Sequence, residues 1–238
     1  MNHEQPSTLA NHLCVKVKSN ARKGQGSAFG WSSTNWSGYC VTGRKGSFTR
    51  ISGEWYVPYV KPSYHATYSS AWIGIDGFKN SSLIQTGTGH ESVKGITRYY
   101  AWWEILPDTE TVIPLQVNPG DHMKAIITKI NHCKWMIILR NISQNWIFRT
   151  LQRYTGPRTS GEWIVEAPEV DGLIAKLARF TPTAFHRCQI NGRNPMLALS
   201  MGGVMIQNTT AVAVPSFPNP QGDSFIVKRR CLNARSTK

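Results

Sequence analysis

From about residue 33 onward the chain is written in short runs of β-branched and aromatic residues, each closed by turn chemistry. ISGEWYVP (51–58), SSAWIGIDG (69–77), SSLIQTGTG (81–89), TRYYAWWEILP (97–107), HMKAIITKI (122–130), KWMIILRN (134–141), NWIFRTLQ (145–152) and GEWIVEAP (161–168) all have the length of a strand. Pro119-Gly120-Asp121 and the stretch 141–145 read as hairpin loops. Helical periodicity is nearly absent, and DGLIAKLARF (171–180) fits a helix or a strand. The expectation is an all-β chain folded as an antiparallel β-sandwich of two packed sheets.

Composition supports a packed core. Apolar residues make up 40% of the 238 residues and aromatics 11%, too many for a disordered chain. The length suits one domain, or two at most. Residues 1–30 are polar and basic and read as a loosely ordered leader or pro-segment, 31–232 as the sandwich domain, and 233–238 as a basic tail. No apolar run approaches the roughly 20 residues of a membrane-spanning helix. The first fifteen residues contain Asn2, His3, Glu4, Gln5, Asn11 and His12, which break any signal-peptide core. Five scattered cysteines without a CxxC pair argue against a zinc site. The net charge of +14 draws the chain toward anionic partners in general. The cations form no contiguous block, so a solvated basic surface is expected rather than a nucleic-acid interface.

Standard catalytic signatures are missing. His90-Glu91 lacks the second histidine of HExxH, and no GxSxG, P-loop or dinucleotide glycine pattern occurs. What stands out is the setting of the few acids. Asp76, Glu104, Glu162 and Glu166 lie inside strongly apolar runs. Strand alternation puts Glu162, Ile164 and Glu166 on one face, as it does Tyr100, Trp102 and Glu104, and Trp72, Gly74 and Asp76. Mid-strand carboxylates are costly in a core, so these faces are expected to line a tryptophan-walled cleft for a polymer, either peptide or sugar.

At these residues the sequence resembles the glutamic peptidases, or eqolisins. The resembling blocks are Asn35-Trp36-Ser37-Gly38, Ser52-Gly53-Glu54-Trp55-Tyr56-Val57-Pro58, Ser70-Ala71-Trp72-Ile73-Gly74-Ile75-Asp76-Gly77, Leu83-Ile84-Gln85-Thr86-Gly87, Tyr100-Ala101-Trp102-Trp103-Glu104 with Pro107, and Glu162-Trp163-Ile164-Val165-Glu166. They follow one another in the family's order over roughly residues 33–230. The resemblance implies a concanavalin A-like sandwich and an acid-acting endopeptidase with a Gln85/Glu166 dyad. In that scheme ionised Glu166 is the general base toward a water, and the Gln85 amide stabilises the oxyanion without a covalent intermediate. Asp76, Trp72, Glu104 and Trp102 are implied to orient Gln85, hold substrate backbone and shape the floor. Trp36 joins the supporting set, although core packing is the first expectation for it as for Trp55, Trp103 and Trp163.

The resemblance further implies a polypeptide substrate, no metal or cofactor, a monomer and secretion, the last at odds with the absent signal. A base near the ordinary glutamate pKa of about 4.3 implies an acidic optimum, which the basic charge is expected to push upward. The chain departs from the family pattern at Ser200, where an acid is usual, in a segment Leu197–Met201 expected to be a strand. Two rivals remain: a non-catalytic sandwich module that binds carbohydrate or polyanion, and a glycoside hydrolase pairing Glu166 with Glu104 or Asp76.

Overall fold

A computed structural model describes residues 29–230, so the expected leader and tail lie almost wholly outside the described residues. The described chain is built from strands: β1 (Trp31–Ser33), β2 (Trp36–Thr42), β3 (Arg50–Tyr56), β4 (Thr67–Asp76), β5 (Leu83–Val93), β6 (Ile96–Ile105), β7 (Thr111–Ile113), β8 (His122–Lys129), β9 (Lys134–Asn141), β10 (Trp146–Arg153) and β11 (Ser160–Glu166). The two-residue strands β12 (Glu169–Val170) and β13 (Leu173–Ile174) form a separate ribbon, and β14 (Thr183–Ile190), β15 (Gly202–Gln207), β16 (Thr210–Pro215) and β17 (Phe225–Arg229) complete the set.

One antiparallel ladder runs β10-β9-β8-β3-β14-β17-β16-β15-β2-β11-β4-β5-β6-β7, with β1 added in parallel to β15. β3 and β8 pack against β4 and β5, so the ladder doubles back into two layers. Between them lies the main core, which includes Tyr39, Trp55, Ile73, Ile127, Trp135 and Trp163. Trp55 and Trp163 therefore fill the interior, and Trp103 packs against it half-buried.

The eight expected strands are all present. The 141–145 stretch is the β9–β10 hairpin, with Asn145 in the left-handed region. Pro119-Gly120 does form a turn, closed by Asp121 N–H to the Asn118 carbonyl, but it carries the chain from β7 into β8 of the other layer. Residues 171–180 are no helix. After β13 they run extended and are tied by backbone bonds such as Ala178 N–H to the Tyr68 carbonyl. Leu199–Met201 is a single 3-10 turn, not a strand, so Ser200 lies just ahead of β15.

Candidate active site

Five neighbouring strands, β2-β11-β4-β5-β6, set the site on the face turned away from the main core. Their register writes three rows across that face. The first is Cys40–Glu162–Gly74–Gln85–Glu104, the second Gly38–Ile164–Trp72–Gly87–Trp102, and the third Trp36–Glu166–Ser70–Gly89–Tyr100. The strand alternation expected for Glu162/Glu166, Tyr100/Trp102/Glu104 and Trp72/Gly74 is thus one continuous surface. Glycines bring the rings down onto the sheet along this trough, and Trp31, Trp36, Trp72, Phe78, Trp102 and Ile164 form a second buried cluster there, so the expected open cleft is filled by aromatic side chains. A Cβ at Gly87 would stand 2.5 Å from the Trp72 Cβ, and one at Gly89 would strike the Tyr100 ring at 2.2 Å.

Glu166 closes β11 and is held from three sides. Asn35 Nδ2 and Trp36 Nε1 each donate to its Oε1 at 2.9 Å, and Trp72 Nε1 donates to Oε2 at 2.8 Å. Asn35 is itself fixed by Ser33, whose hydroxyl donates to Asn35 Oδ1 and accepts from the Trp36 backbone N–H. The two indoles meet edge to face, 4.9 Å between centroids. Burial pushes the Glu166 carboxyl up to about 8, outweighing the three N–H donors, which favour the charged form.

Gln85 lies on β5 between Gly74 and Glu104, and its Nε2 donates to Glu104 Oε2 in a short hydrogen bond. Gln85 Oε1, Ser70 Oγ and Trp102 Nε1 are buried on the same face without a protein partner. Gln85 and Glu166 are both buried, at 0% and 1% exposure. They stand opposite Gly74 and Ser70, four residues apart along β4 with Trp72 between, and no direct bond joins them.

Asp76 occupies a different position. It ends β4 in the left-handed region at φ 74°, which turns its carboxylate toward the chain leading into β11. There it accepts from the Tyr154 hydroxyl, the Arg158 and Thr159 backbone N–H groups, the Thr159 hydroxyl and Asn80 Nδ2. Holding Gln85 therefore falls to Glu104, and Asp76 secures the loop that delivers β11.

More acids surround the trough than the sequence pointed to. Burial, then Glu104 and Glu91, push Glu110 up to about 9, and burial raises Glu162 and Glu91 as well. Glu91 and Glu110 both face the Tyr100 hydroxyl. Sequence reasoning missed Glu110, which sits in the polar stretch PDTET, and assigned no role to Asn35. The signal for Asn35 was its place beside Trp36. No cluster of three His, Cys, Asp or Glu among the described residues is arranged to hold a metal.

Comparison with known proteins gives the chain's family and fold. The Peptidase A4 family profile matches residues 34–221. A search of curated protein sequences returns no match. Among solved structures, scytalido-glutamic peptidase with a transition state analog inhibitor superposes with a TM-score of 0.71 at 20% identity, covering 83% of this chain and 98% of its own. SCP-B, described as a member of the eqolisin family in a complex with the tripeptide Ala-Ile-His, gives 0.67 at 20% identity over 83% and 98%. Aspergilloglutamic peptidase from Aspergillus niger gives 0.58 at 23% identity over 69% and 99%. These likenesses are to the β-sandwich fold, and the profile match over most of the chain shows that it belongs to the Peptidase A4 family, the glutamic peptidases.

Proposed function

We propose that the trough hydrolyses internal peptide bonds with Glu166 as base and acid and Gln85 as oxyanion donor. The observation that carries this reading is the Glu166 clamp. Three N–H groups from Asn35, Trp36 and Trp72 fix one carboxyl on a face that also presents Gln85. In the reaction, ionised Glu166 removes a proton from a water, and the hydroxide attacks the scissile carbonyl carbon. The Gln85 amide donates to the oxygen that gains charge, with Glu104 fixing the amide's orientation. Protonated Glu166 then returns the proton to the amide nitrogen, the C–N bond breaks, and a carboxylic acid and an amine leave. A preorganised neutral donor of this kind contributes roughly 3–4 kcal/mol to the transition state.

The raised carboxyl changes the pH expected for this chemistry. A base near 4.3 would be ionised in acid, whereas at about 8 the resting Glu166 is largely neutral throughout the acid range. The ascending limb of activity moves upward accordingly. In this reading the basic leader, with Lys16, Lys18, Arg22 and Lys23, serves as a pro-segment. The test is cleavage of a denatured protein by wild type, Glu166→Gln and Gln85→Ala, with inhibitors of conventional aspartic peptidases present. Both variants should lose activity by roughly 10²-fold or more. Full activity in Glu166→Gln would refute the assignment.

A further inference from the structure

Residues 122–161 contain seven Lys or Arg and no Asp or Glu. In the sequence these cations are dispersed, but the register of β10, β9, β8 and β3 gathers most of them on the outer face of the second layer. The rows there are Ile147–Arg140–Lys124–Glu54, Arg149–Ile138–Ile126–Ser52, Leu151–Met136–Thr128–Arg50 and Arg153–Lys134. The alternate residues Trp135, Ile137, Leu139, Ala125, Ile127 and Trp55 fill the main core, so the rows face outward. Ile147 and Leu151 are 41% and 48% exposed, and Lys134, Arg140, Arg149 and Arg153 are exposed around them. The one acid in the rows, Glu54, is buried and bound by Lys124 Nζ and His122 Nε2 at 3.0 Å.

We propose that this face docks on an anionic lipid bilayer as a peripheral contact. Charge decides the sign of the partner. A second copy laid face to face would set six cations against six. Both chain ends are basic too, with one acid, Glu4, in residues 1–28 and none in 231–238. The partner must therefore be anionic. Side-chain type then decides between lipid and nucleic acid. The residues interleaved with the cations are aliphatic Ile147, Leu151, Ile138 and Met136, which suit the headgroup–acyl boundary, while the exposed ring of Tyr56 at the β3 end of the face is already stacked on His122. A single-stranded nucleic-acid surface would present aromatic rings for base stacking. The trough lies on the other layer, so docking does not cover it.

The experiment is co-sedimentation of the full chain with phosphatidylcholine vesicles, with and without phosphatidylserine, at low and high salt. Binding is expected only to the anionic vesicles, and to weaken with salt. The double variant Arg149→Ser/Arg153→Ser should lose about twenty-five-fold in affinity, taking roughly fivefold per cation. Ile147→Ser/Leu151→Ser should weaken binding as well, and both variants should keep wild-type cleavage of a soluble substrate, which checks folding independently. Equal binding to neutral vesicles, no binding at all, or unchanged binding by the arginine variant overturns the proposal. So does tight binding of a single-stranded oligonucleotide that the Ile147/Leu151 change leaves untouched, which would assign the face to nucleic acid.

Discussion

Replacing Glu166 by Gln separates the two things its environment does. The carboxyl is buried, and its pKa rises from 4.5 in the unfolded chain to about 8 in the fold. Because the folded value is the higher one, the native state holds the proton more tightly. Its stabilising effect is complete below about 4.5, is lost progressively as pH rises, and is gone above about 8. Between those limits the loss is about 1.4 kcal/mol per pH unit, or about 2.7 kcal/mol from about pH 5 to about pH 7. Gln carries no charge, so the variant lacks this slope. It has a different cost: its amide NH2 confronts one of the three N–H donors, most directly Trp72 Nε1 at 2.8 Å from Oε2. An unsatisfied buried donor costs about 1–3 kcal/mol at every pH. The variant should therefore be less stable than wild type at about pH 5, with the gap closing by about 2.7 kcal/mol and reversing or vanishing by about pH 7. Urea unfolding of both proteins across this range measures it, and slopes from Glu91, Glu110 and Glu162 cancel in the difference. Parallel stability curves with a constant gap would show that the three donors hold Glu166 ionised, and the burial argument would be wrong.

Other consequences are as direct. In wild type, kcat/KM should climb with pH along a limb well above 4.5 and approaching about 8; a limb at or below the ordinary glutamate value would refute burial as the controlling influence. Asp76→Ala strips the acceptor from Tyr154, Thr159 and the Arg158 backbone, and should destabilise by about 3 kcal/mol in thermal or urea unfolding; a loss under about 1 kcal/mol would deny the anchoring role. Glu104→Ala should lower kcat more than it raises KM, since it frees the Gln85 amide to turn, and Glu104→Gln should restore part of the loss; an unchanged kcat in Glu104→Ala would remove Glu104 as the positioning group.

The strands were legible because period-two patterning and turn residues are local signals. The same period put Glu162 and Glu166 on one face of their strand, and Trp102 and Glu104 on one face of theirs. Which strands lie side by side was not legible from patterning. The row Cys40–Glu162–Gly74–Gln85–Glu104 joins residues from five strands, and only the ladder order sets it. Asp76 shows the limit of alternation. The backbone enters the left-handed region at that residue and swings the carboxylate toward Tyr154, a turn that a strand pattern does not contain. Glu110 was hidden for the opposite reason: it sits among polar residues, and only the folded trough brings it to Tyr100.

The same limit explains how a strongly basic chain keeps an acidic site. A net charge sums over the sequence, but a sheet sorts side chains by parity and by neighbour. On β11, parity sends Glu162 and Glu166 to the trough and Trp163 to the core. On β9 and β10 it sends Arg140, Arg149 and Arg153 outward and Leu139 and Trp135 inward. Burial holds the trough carboxyls largely protonated, and any charge they do gain is screened by salt over roughly 10 Å, so neither set neutralises the other across the layers. Each face then meets partners by its own charge. The outer layer carries its charge throughout the ordinary pH range, whereas the trough gains charge only as its raised carboxyls ionise, Glu166 at about 8 and Glu110 at about 9, so reversing the charge of the outer layer should leave cleavage at the trough unchanged.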